Sequence, residues 1–121
     1  SNGVMVAPAL LADQPEAGEG LVSAIARAMA DVMADPSEGI DQIIATEPLS
    51  DPDLEMQRLQ FAMDNLIFSD ESRANGIGAV ESERLDRSIA VIRDLYDLPT
   101  TPSAAAVFDA SFLPPKNMRS F

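Results

Sequence analysis

From Glu16 to Ala34 the apolar positions Leu21, Val22, Ile25, Met29, Val32 and Met33 recur at steps of three and four. That spacing places them on one stripe of an amphipathic helix. Alanines at 24, 26, 28 and 30 favour the helix and let neighbours approach closely. Before it, Pro8 to Asp13 predicts a short helix opened by its proline. Asp35-Pro36-Ser37-Glu38 then carries a capping signature, with Asp35 as N-cap, Pro36 at N1 and Glu38 at N3. It starts a helix from Pro36 to about Ala45 that turns Ile40, Ile43 and Ile44 inward. Asp51-Pro52 repeats the device. The helix from Pro52 to about Phe68 puts Met56, Leu59, Met63, Leu66 and Ile67 on its inner face.

Ser69 to Gly78 reads as a polar loop containing Gly76 and Gly78. Glu81 to Asp97 is the last long helix, with Leu85, Ile89, Ile92, Leu95 and Tyr96 inward. Pro99 to Pro102 breaks the pattern, one short helix follows between Ser103 and Asp109, and Pro114-Pro115 leads into a tail. At the front, Gly3-Val4-Met5-Val6-Ala7 is β-prone and stops at Pro8, which predicts one short strand. A lone strand needs a partner ladder, and no other segment offers one. The predicted fold class is mainly α, with residues 1–7 as a strand, 8–98 as a helical layer and 99–121 as a tail with a short helix.

Composition narrows the chemistry. The 121 residues contain neither cysteine nor histidine. Thiolate zinc sites, HExxH sites and Ser-His-Asp triads are thereby excluded within this segment. Eight basic residues stand against twenty acidic ones, a net charge of −12, and Lys116 is the sole lysine. Such a surface repels phosphate backbones and anionic headgroups, so no nucleic-acid partner is expected. The longest nearly apolar run, Val4 to Ala12, is nine residues and holds a proline, too short to cross a bilayer. Ser1-Asn2-Gly3 lacks a charged region and a Met, so it does not read as a signal peptide; the expectation is a chain already cut at its front.

Most suggestive clusters have structural explanations. In Gly76-Ile77-Gly78 the third fingerprint position is Glu81 and no strand precedes it, so it reads as a turn needing positive φ. Asp51, Asp53 and Glu55 alternate as in a calcium loop, but the loop's glycine and distal Glu are missing, and acidic residues suit a first helical turn. Glu81 and Glu83 read the same way. A local Asp70–Arg73 pair and the i,i+4 spacing of Arg93 and Asp97 fit solvated surfaces. Met29, Met33, Met56 and Met63 fall on helix stripes as core rather than as a promiscuous groove. No catalytic residue, metal ligand or cofactor site is expected.

Several stretches taken in order resemble a known family. Gly3 to Leu11 followed by Gln14-Pro15-Glu16 resembles the hinge strand and next helix of periplasmic substrate-binding proteins of the nitrate/sulfonate/taurine and thiamine-precursor type. Ala34 to Ile40 is similar to the family's Asn/Asp-Pro-Glu-Glu-Ala helix start. Gly76 to Leu85 resembles its Gly-x-Gly-x-x-Asp-Pro-Glu-Arg segment, and Val107 to Pro114 its closing Val-Tyr/Phe-Thr-Asn-x-Phe-Leu-Pro. Ala79 stands where an aromatic is common and Ser82 where proline is common.

The resemblance implies the C-terminal helical part of a two-lobed α/β clamshell. Its function would be capture of a small solute, such as a thiamine pyrimidine precursor, sulfonate or nitrate, in the periplasm. Delivery would be to an inner-membrane ABC permease, with no bond made or broken. Asn2 would lie where the family strand skirts the cleft and is the ligand-binding candidate; a turn residue is the other reading. Apolar surface left open would invite self-association. Two alternatives stand: an independent helical protein-interaction domain, and a thiamine-pyrimidine biosynthesis enzyme of the kind found among fungal relatives, whose chemistry needs a histidine.

Overall fold

The computed structural model describes residues 3–121. Helices account for every regular element among them: α1 Pro8–Asp13, α2 Pro15–Ala34, α3 Pro36–Thr46, α4 Pro52–Ala62, α5 Asp70–Asn75, α6 Ser82–Tyr96 and α7 Ala104–Val107. A π-helical turn, Met63–Ile67, prolongs α4, and 3₁₀ turns lie at Ala110–Phe112 and Lys116–Met118.

The start signals act as the sequence predicts. Pro8, Pro15, Pro36 and Pro52 each open a helix, where a missing N–H costs nothing. Asp35 accepts the Ser37 amide at 3.0 Å, and Asp51 accepts those of Asp53 and Leu54 at 2.9 and 3.2 Å. Each cap satisfies amide donors that the helix itself leaves without partners.

Several expectations are corrected. Residues 3–7 form no strand. Without a second strand among the described residues there is no ladder to join, and β propensity alone does not hold a strand. The loop expected over 69–78 contains α5, opened by a reciprocal capping box between Ser69 and Ser72. The inner face drawn for the 52–68 helix also fails at one position. Met63 is buried, but the Phe68 amide bonds back to the Met63 carbonyl, five residues away, and Leu66 is 77% exposed. A π turn takes more residues than an α turn, so the stripe loses its phase there.

The chain divides into two units, residues 3–78 with 113–121, and residues 79–112. In the first, α2 packs on α3 and α3 on α4. Gly39 marks the α2–α3 approach: a Cβ there would lie 3.2 Å from Val32 Cγ1. Ile40 and Met63, each 5% exposed, are its buried apolar side chains. The second unit holds α6 and α7 in contact and has no buried residue. Of the stripe expected to face inward on α6, Leu85 and Ile89 are half-buried while Ile92, Leu95 and Tyr96 are exposed, the last two at 70% and 66%.

Candidate functional site

The most specific tertiary structure gathers around the Gly76 turn. Gly76 and Gly78 take φ of +80° and +83°, a region L side chains rarely adopt, as the spacing predicts. The turn is shaped by a segment more than forty residues away. The Ile77 amide donates to the Arg119 carbonyl at 2.8 Å. The Arg119 guanidinium donates through Nη1 to the Asn75 and Ile77 carbonyls, both at 3.0 Å, and through Nε to the Pro114 carbonyl at 2.8 Å. Arg119 thereby caps the last turn of α5, where backbone carbonyls lack helical partners and a cation is favoured.

An aromatic contact extends the clasp. The Phe68 and Phe121 rings are tilted at 32° with centroids 4.5 Å apart. The Arg73 guanidinium lies over both, 5.3 and 5.4 Å from their centroids. Exposed cation–π contacts of this kind are worth about 0.5–1 kcal/mol each. Pro114 is buried. A Cβ on Gly76 would lie 2.9 Å from Arg119 Nη1 and 3.2 Å from its carbonyl oxygen, and one on Gly78 would lie 3.2 Å from Leu113 Cδ2. The 113–121 segment, expected to be a tail, is therefore a docked strap.

Two shallow depressions lie elsewhere, one in each unit. The first is bounded by Gln42, Ile43 and Thr46 of α3, Glu47 and Ser50 of the following turn, and Glu55 of α4. None of these residues is buried. The Thr46 hydroxyl is spent on the Gln42 carbonyl, and Glu55 accepts from Arg58. The second lies along α6, between Arg84, Arg87, Ser88, Val91 and Ile92. Arg87 reaches Glu83 at 4.0 Å. Neither hollow has the enclosure and convergent polar groups that hold a small molecule.

The acidic clusters behave as helix chemistry. Asp51 caps α4, while Asp53 and Glu55 occupy its first turn. Arg93 donates through Nε to Asp94 at 2.8 Å, so its neighbour in sequence takes the bond that the i,i+4 spacing offered to Asp97. Asp97 itself turns left-handed, at φ 49°, to end α6. Asp35 sits below its ordinary carboxylate value of 3.8 because the Ser37 hydroxyl and then the Ser37 amide donate to it. Asp109 is lowered in the same way by the Ser111 hydroxyl and amide.

Asn2, the ligand-contact candidate, lies outside the described residues. Among the described residues no group of three or more His, Cys, Asp and Glu side chains could hold a metal ion, and no helix is long and apolar enough to cross a membrane. Sequence reasoning missed α5 and the Arg119 clasp. The Ser69-x-x-Ser72 spacing was a local signal for the former; the latter joins residues too far apart for any local pattern. No family model matches the chain, and neither a curated protein nor a solved structure matches it.

Proposed function

We propose that the chain is the helical C-terminal part of a periplasmic solute-binding protein that passes a small solute to an inner-membrane ABC permease. The observation that carries this reading is the apolar surface its helices leave open. Leu21 and Ile25 on α2, Phe61 on α4, and Val91, Ile92, Leu95 and Tyr96 on α6 are large apolar side chains left exposed. Faces of this kind suit a helical layer that buttresses a larger lobe, and lobes so built close about a hinge on their ligand. The ordered likenesses from Gly76 to Leu85 and from Val107 to Pro114 support the choice of this receptor family. In this reading the segment's part is mechanical.

A second reading, a helical protein-interaction domain, is favoured by residues 79–112, which bury no side chain and need a partner of some kind. The two readings separate on the polypeptide translated from the whole reading frame. Its melting is followed with a thiamine pyrimidine precursor, taurine, another sulfonate and nitrate. A ligand at a hundred times its Kd stabilises by about 2.7 kcal/mol, which raises the melting point by several degrees. That rise with one solute supports the receptor. No response to any of them, or turnover of one, contradicts it.

A further inference from the structure

The clasp joins two parts of one unit that residues 79–112 separate in the sequence. Its receptor is Phe68, Arg73 and the Asn75–Ile77 backbone; its strap is Pro114, Arg119 and Phe121. Between them, residues 79–112 form a separate unit with no buried residue. We propose that the strap exchanges between copies, so that residues 113–121 of one chain dock on the Gly76 turn of another. A second copy is the occupant because the receptor's shape and chemistry are already defined by this segment: the Asn75 and Ile77 carbonyls for one guanidinium, a ring for a ring, and an amide for the Arg119 carbonyl. Exchange keeps every one of those contacts and exposes no new surface in the receptor. It requires that the connecting residues open, and they hold no buried core that opening would disrupt. In a single chain the closed clasp competes at an effective concentration on the order of millimolar, so dimers gain at high protein concentration.

The test uses full-length chains that cannot close their own clasp. Arg119→Ala leaves the receptor and spoils the strap; Gly76→Val leaves the strap and spoils the receptor. Each alone is expected to be monomeric by light scattering, with fast exchange of the Ile77 amide. Mixed at several hundred micromolar, they are expected to form a one-to-one dimer, with the Ile77 amide of the Arg119→Ala chain slowed at least about tenfold. A synthetic peptide of residues 113–121 is expected to restore the same protection to the Arg119→Ala chain, and the peptide carrying Arg119→Ala is not. If Arg119→Ala loses its helical circular dichroism, Phe121→Ala takes its place as the strap-defective chain. A mixture that stays monomeric, or a peptide that gives no protection, overturns the proposal.

Discussion

Gly76 and Arg119 are the residue pair on which the first unit's closure turns. At φ +80° any β-branched residue is strained, and a Cβ would press on the Arg119 side chain and carbonyl. Gly76→Val is therefore expected to detach the strap. The check is amide exchange: Ile77, whose N–H is held by the Arg119 carbonyl, speeds up while amides within α2 do not. Arg119→Lys should recover little of the loss, since an ammonium cannot span the three carbonyls as a planar fork does.

Ser37 sets the pH response at Asp35. Its hydroxyl is the larger cause that lowers the carboxylate, ahead of its amide. A carboxylate lower in the folded than in the unfolded chain contributes stability above its unfolded value, and that contribution is lost as pH falls through the folded value. Helicity of α3 is thus expected to hold at pH 5 and to fade below the ordinary value of 3.8, and Ser37→Ala should move the carboxyl titration of Asp35 upward. Carbon-detected NMR titration reads both; an unchanged Asp35 midpoint in Ser37→Ala would contradict the assignment.

Among the elements, the helices opened by proline behind an acidic cap were legible because each start signal lies within four residues. Asp51 shows the strength of such a device: Asp51→Ala is expected to cost about 1 kcal/mol by removing the acceptor for two amides, measured by urea unfolding. The α5 helix was hidden because Ser69 to Arg73 carries no apolar stripe, so its stability rests on the Ser69–Ser72 capping box and on Arg119 beyond its end. The π turn escaped for a different reason. Periodicity at 3.6 residues continues smoothly from Met56 through Leu59 and Met63, and nothing in the residue types announces the extra residue that turns Leu66 outward. The strand expected over 3–7 came from composition alone. Val4, Met5 and Val6 favour extended backbone, but a strand is a pairing, and the described residues supply none.

For the whole chain, the balance between stripe and cover decides the behaviour. A sequence shows where apolar residues recur along a helix, but it cannot say what lies opposite them. Residues 79–112 bury nothing, and Ile40 with Met63 is the apolar centre of the rest. With so few buried side chains, Ile40→Ala is expected to remove ~2–4 kcal/mol, enough to melt the α2–α3–α4 layer at ordinary temperature. Circular dichroism at 25 °C would register the lost helix, and near-native helicity would show that the layer has other support.

Calorimetry of the 121-residue chain bears most directly on its open faces. A self-sufficient domain of this length has an unfolding heat-capacity change of about 1.5–1.8 kcal/mol/K, because that quantity scales with the apolar surface newly exposed. A value well below that range is expected, with a broad transition whose van't Hoff and calorimetric enthalpies disagree. A sharp two-state transition carrying the full heat-capacity change would contradict it.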